Sequence, residues 1–586
     1  MFRLIVLLPA LALLAACAAT PEQPAAESPA QVEAAPPAPE PEPLERPFPE
    51  ASVYPLLVAE FALRRGDYDT AMNNYIEQAR VLDDAGVARH TTHLAQFLDN
   101  DELTLEAVQL WLRKQPEELE ANNTAATLLS RQGRPLEAIP HLSVVARSAH
   151  QANFPMLLQS YASLSPEDQQ QLVTALDALS GEFPDDPALL LTQALVHAEN
   201  HEYAVAQAKL DALFAIEPAQ PQALQLEARM QLQQGAEHPF ARIEQVLEKD
   251  PGNSRLRLEY ARLLTATDTA AARRQFEILS AQSPDDADLL LSLALLNRET
   301  GDDLVARAYL MQVLDTGDRT NEAHFYLGLI AEKAGDEQAA LEHYRSIDDS
   351  RQYLPANQRI GELLLEQGDV QGLREWFAQQ RAAQPQWAEQ LYGIEAEVLR
   401  GKGATTAAMQ ILNEGLATYP DSESLRYARS MLNQQQADLA SMEADLRDII
   451  AQNPDNATAL NALGYTLADQ TDRLDEAEAL ISRALELQPG EPAILDSMGW
   501  LLYRKGDLPG ALRYLTRAYA SFPDPEVAAH LGEVLWASGE QDKARQVWQG
   551  GLLADPQHQV LRATLQRLGV ELDLPPPLPP SSSAAQ

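Results

Sequence analysis

Few residues in this chain have the type and spacing to do chemistry. Cys17 is its one thiol, and a lone cysteine closes no intramolecular disulfide and builds no thiolate zinc or iron–sulfur site. His201-Glu202 is followed by Tyr203, with no second histidine four or five residues on, so the zinc-protease pattern is not met. Gly401-Lys402-Gly403 has the composition of a phosphate loop, but no strand precedes it. Asp315, Asp318 and Glu322 are calcium-type ligands without EF-hand spacing. His90 and His93 lie three apart, as on one helix face, and lack a third ligand. HExxH, GxSxG and P-loop patterns are absent from the sequence. These residues point away from an enzyme, and no cofactor or metal is expected.

The surroundings of Cys17 give it a different chemistry. Arg3 is followed by the apolar run Leu4 to Leu14, which Pro9 alone interrupts. That run is too short to span a bilayer, which takes about 20 apolar residues, and it fits the apolar region of a secretory signal. It ends in Leu14-Ala15-Ala16-Cys17, which resembles the bacterial lipobox. The resemblance implies cleavage before Cys17, which becomes the lipidated mature N-terminus and carries several acyl chains, palmitate among them. Ala18 stands where an aspartate would retain such a lipoprotein in the inner membrane. Its presence implies the outer membrane, with the body facing the periplasm.

The elements that carry the remaining chemistry follow from composition. The 586 residues hold 44 Lys and Arg against 86 Asp and Glu, a net charge of −42. A phosphate-binding face needs clustered cations, so nucleic acid is excluded as a partner. With 45% hydrophobic residues but only 6% aromatics, and with Ala, Leu, Glu and Gln throughout, the chain predicts a large helical body. Residues 1–16 read as the signal peptide. Residues 17–50 follow as a lipidated, Pro/Glu-rich tether with ten prolines, able to reach about 100 Å if extended. Residues 575–586 read as a disordered Pro/Ser tail.

Between them the chain repeats. Gly499, Leu502, Gly506, Ala511, Leu515 and Pro523 return 33 residues later as Gly532, Leu535, Gly539, Ala544, Trp548 and Pro556. Small residues at offsets 8 and 20 let two antiparallel helices approach, and large ones at 11 and 24 fill between them. Glycine at 15 supplies the left-handed residue that ends the first helix, and proline at 32 starts the next turn. The pattern resembles the tetratricopeptide repeat. It implies an all-α solenoid, a superhelix of roughly eleven to thirteen helix–turn–helix units. Repeats are divergent over 51–186, recognisable over 187–456 and well formed over 457–557, with a capping helix at 558–574. Residues 146–186 fit worst, and 421–456 read as helical but poorly in register.

In repeats of this kind offsets 5, 9 and 12 of the first helix face a groove. At the C-terminal end those positions are Asn461 and Tyr465, then Asp496, Trp500 and Tyr503, then Ala529, Glu533 and Trp536. Aromatic rings with carboxylates and an amide suit a peptide or helix partner, although rings there also pack between helices. The strings Ala459–Asp469, Ala493–Trp500 and Glu526–Trp536, with the lipobox and Leu57-Val58-Ala59-Glu60, resemble proteobacterial tetratricopeptide lipoproteins that bind a carboxyl-terminal processing protease. The resemblance implies an adaptor that promotes proteolysis of substrates such as cell-wall hydrolases and supplies no catalytic residue. The Lys, Arg and Asn clamp that some tetratricopeptide domains use for C-terminal carboxylates is missing. The alternative is a scaffold for an outer-membrane machine such as a pilus, a secretion system or an exopolysaccharide exporter.

Overall fold

Helix-forming composition and repeated stop signals produce what the sequence predicts, an all-α chain of helix hairpins. The computed structural model describes residues 49–148 and 152–572. The signal, Cys17, nearly all of the tether and the tail lie outside the described residues. Within them every regular element is an α-helix or a short 3-10 helix, and there is no strand. Two compact units divide between Gly235 and Ala236, inside the stretch 187–456.

The local logic is plainest at Gly506-Asp507. Gly506 closes the helix Pro492–Arg504 with φ +86°, a conformation costly for residues with a Cβ. Asp507 then caps the helix Leu508–Ser521, its carboxylate accepting from the Gly510 amide at 3.0 Å. Aspartate serves the same purpose at positions 67, 84, 186, 268, 286, 336, 369, 438 and 524. Part of the chain's large acidic content therefore answers to the orphan amides of helix starts and not to any ligand.

The first unit contains four hairpins: Glu50–Arg64 with Tyr68–Leu82, Ala85–Phe97 with Asp101–Lys114, Leu119–Arg131 with Pro135–Arg147, and Pro187–Glu199 with Tyr203–Ile216. The stretch expected to fit worst is where the array breaks. Two 3-10 helices, Phe154–Leu158 and Tyr161–Ser163, and a helix without a hairpin partner, Pro166–Leu179, replace a hairpin. The core runs through the break nonetheless. Phe154, Leu157, Leu172 and Leu176 are fully buried in one cluster with Trp111, Leu142 and Leu189.

The second unit contains nine hairpins between Ser254 and Ala554 and ends on the helix Gln559–Leu568. That helix buries Leu561 and Leu565 against the last hairpin. The poor register expected over 421–456 has a specific cause. Glu423–Gln435 and Leu439–Gln452 form an ordinary hairpin, but buried Ser430 and exposed Ala437 occupy the two glycine offsets. Ala437 takes the left-handed conformation itself, at φ +60°. His201 and Asp99 do the same at their turns, at φ +59° and +52°.

Candidate functional site

The C-terminal first helices are held by contacts that the repeat spacing dictates. A Cβ on Gly499 would stand 2.5 Å from Leu515 Cγ, and one on Gly464 2.6 Å from Ile481 Cγ1. Gly532 lies against the Trp548 indole in the same way. These glycines fix the spacing within each hairpin, so the opposite faces of the first helices present side chains from a rigid base.

On that base Asn461, Tyr465 and Asp496 line one cavity of about 820 Å³. It is contributed by four successive first helices, Glu423–Gln435, Ala457–Gln470, Pro492–Arg504 and Pro525–Ala537, and by the turns beside them. Glu491, Asp524, Glu526, Tyr427 and Phe522 complete its polar and aromatic walls. The Asn461 Oδ1 atom is buried without a hydrogen-bond partner.

Trp500, Tyr503, Glu533 and Trp536 do not line the cavity. Trp500 is buried, stacks on the His530 imidazole with centroids 4.3 Å apart, and donates from Nε1 to Asp469 Oδ1 at 3.0 Å. The Tyr503 hydroxyl donates to Glu533 Oε1 at 3.2 Å, and Arg567 of the terminal helix donates to Glu533 Oε2 at 2.5 Å. Glu533 is thus engaged by the cap. Trp536 packs on Trp548 with centroids 5.7 Å apart, and the Arg545 guanidinium lies 5.3 Å from its centre. Ala529 is fully buried.

His530, Glu526, Asp469 and Arg567 are the members that sequence reasoning passed over. His530 Nδ1 lies 2.9 Å from Asp496 Oδ2, and its Nε2 lies 3.4 Å from the Tyr465 hydroxyl, which donates to Glu526 Oε1 at 3.1 Å. The available signal was one histidine inside the apolar run Val527–Leu531. Burial, then the charges of Glu526, Asp469 and Asp496, push the Tyr465 phenol far above its ordinary value. Burial works against the charged form of His530, but Asp496, Glu526 and Asp469 together hold its pKa above the ordinary 6.5. The arrangement is a buried, hydrogen-bonded floor beneath an acidic cavity. It can position a ligand.

Elsewhere the early candidates have structural partners. His93 Nε2 is 2.8 Å from Glu120, and His90 packs on Tyr75. His201 Nδ1 meets the Tyr203 hydroxyl at 2.8 Å. Arg319 lies between Asp288 and Glu322, at 2.8 and 3.3 Å, in the turn that also holds Asp315 and Asp318. Lys402 pairs with Glu366 at 3.0 Å. Among the described residues no group of three or more His, Cys, Asp or Glu is placed to hold a metal ion. No described helix is long and apolar enough to cross a membrane.

The first unit carries a surface of another kind. Tyr54, Leu57 and Phe61 stand on one face of the helix Glu50–Arg64 and are 76%, 51% and 57% exposed. With Val58, Arg65 and Thr70 they border a depression of about 510 Å³. Exposed apolar residues clustered in this way mark contact surfaces.

Hairpins at a fixed period, with side chains presented along their faces, define a helical-repeat protein of the protein-interaction type. The tetratricopeptide repeat model matches residues 262–315, 304–355, 427–492 and 497–558. A TPR repeat-containing protein of Pseudomonas aeruginosa, PA4667, is 38% identical over 487 residues, covering 83% of this chain and 82% of the relative. The chain belongs to the tetratricopeptide repeat family. Among solved structures, yeast Tom70 aligns with 89% of this chain and 94% of its own at 14% identity and a TM-score of 0.29. A thermophilic tetratricopeptide protein from Thermus thermophilus, TTC0263, aligns with 31% of this chain and 100% of its own at 20% identity and a TM-score of 0.29.

Proposed function

We propose that this protein is a lipid-anchored adaptor of the outer membrane, facing the periplasm. It binds a carboxyl-terminal processing protease and brings to it protein substrates such as cell-wall hydrolases. The observation that carries the reading is the presence of two chemically different surfaces on one chain. An exposed apolar row, Tyr54, Leu57 and Phe61, lies in the first unit, and an acid-lined, aromatic cavity lies in the second. An adaptor needs two such surfaces, since it must hold a protease and a substrate together. Membership of a family of interaction repeats supports it, as does the resemblance of the sequence to LbcA, the lipoprotein binding partner of a carboxyl-terminal processing protease. Co-tethering raises the effective concentration of the bound pair without any new contact between them.

The test is affinity capture from solubilised membranes with the full-length chain as bait. Recovery of a serine protease of the carboxyl-terminal processing class together with its substrates is the expected result. Recovery of secretin, pilus or exporter components in its place would overturn the reading.

A further inference from the structure

We propose that the cavity around Tyr465 receives an arginine-bearing, extended segment of a partner protein. This rests on the adaptor reading in assigning the cavity to a protein partner, and it specifies the chemistry of what enters.

The lining is one-sided in charge. Glu491, Asp496, Asp524 and Glu526 contribute to it, and it contains no lysine, arginine or histidine. Asp496 is balanced by His530 beneath it. The other three carboxylates form no ion pair with any described residue. Glu526 accepts from the neutral Tyr465 hydroxyl, and one Asp524 oxygen accepts from the Glu526 amide. Glu491 and Asp524 have no cation beside them, and Glu526 shares the single His530 charge with Asp496 and Asp469, so the cavity keeps a net negative lining that favours a cation within it.

The polar atoms and rings narrow the choice of cation. Asn461 Oδ1 is an acceptor that is buried and unpartnered, and such an atom is stabilised by an incoming donor. Arginine brings five N–H donors and no acceptor, in a planar group that also stacks on aromatic faces. Tyr427, Tyr465 and Phe522 supply those faces, Phe522 from a position 57% exposed at the cavity edge. Ile494 and Val527 add apolar wall, so a segment with apolar residues next to its arginine fits better than a bare polycation. The volume of about 820 Å³ exceeds the needs of one side chain and accommodates a short stretch of backbone. The occupant is therefore the chemical opposite of the acidic C-terminal peptides that a Lys/Arg clamp would hold.

The probe is a fluorescent, acetylated and amidated peptide of alternating arginine and leucine, titrated by anisotropy against the full-length chain in detergent. A peptide with glutamate in place of arginine is the control. The arginine peptide is expected to bind, the glutamate peptide not, and binding is expected to weaken as salt is raised. The double variant Glu491→Gln with Glu526→Gln is expected to bind the arginine peptide about tenfold more weakly. It changes a net charge of −42 by only two units, so diffuse attraction to an acidic protein would be almost unaltered. Glu526→Gln keeps the acceptor for Tyr465, and an unchanged melting temperature confirms that the fold persists. Equal binding by the double variant, equal binding of the glutamate peptide, or no binding of the arginine peptide at about 1 mM would each overturn the proposal. No protease is present, so a negative result here with successful capture of the protease would remove this inference and leave the adaptor reading in place. Peptide binding without protease capture would do the reverse.

Discussion

His530 is enclosed by Trp500, Tyr465 and Asp496 and has almost no contact with solvent. Burial by itself would drive the imidazole neutral, but the nearby carboxylates outweigh it and hold the pKa above the unfolded value of 6.5. A group whose folded pKa is raised contributes its stabilisation fully below the unfolded pKa and loses it as pH climbs through the folded one. His530→Gln is therefore expected to lower the melting temperature most below the unfolded pKa of 6.5 and progressively less as the pH rises above it. Thermal melts of both proteins across that window check it, and a deficit that grew with pH would mean a neutral imidazole. The sequence could not disclose this cluster. His530 and Asp496 are 34 positions apart, and Glu533 and Arg567 likewise. Their meeting depends on how successive first helices stack. Offsets 5, 9 and 12 name a face, and only packing decides whether a side chain on it lines a cavity, as Asn461 and Tyr465 do, or packs on a neighbouring helix, as Trp500 does.

Within a single hairpin the sequence said much more, because the contacts are local and periodic. Offsets 8 and 24 read as a small and a large residue between two close helices, and the structure sets them against each other, Gly499 on Leu515 and Gly532 on Trp548. Gly499→Val is expected to destabilise by about 1–3 kcal/mol through overpacking, read as a shift in the urea midpoint with an unchanged slope. A neutral effect would mean that the two helices can part at no cost. At three turns outside the irregular stretch the hairpin exists but a residue with a Cβ holds the glycine position. Ala437, His201 and Asp99 are the instances. A residue pattern that looks for glycine misses them, while the backbone tolerates a left-handed residue of another type at about 1–2 kcal/mol. His201, which first drew notice beside Glu202, is in the structure a turn residue.

At the scale of the whole molecule the proposed lipid anchor makes Cys17 the residue to test. Cys17→Ser is expected to leave the body folded, with the same circular dichroism, and to move it from the membrane fraction to the soluble periplasmic fraction. Persistence in the membrane fraction would mean that something other than acylation anchors the protein. The acidic charge has two roles at this scale. Part of it caps helices, as Asp507 does, and a smaller part faces the cavity around Tyr465. The irregular stretch from Phe154 to Leu179 has a further consequence. In a strictly modular array each hairpin meets only its neighbours, so unfolding can stop at any joint. Here one buried cluster runs from Ala88 to Val196 across the irregular stretch. Those residues should consequently open as one cooperative block, their slowest amides exchanging with solvent at a common rate, so the visible break in the repeat is a weld in the energetics.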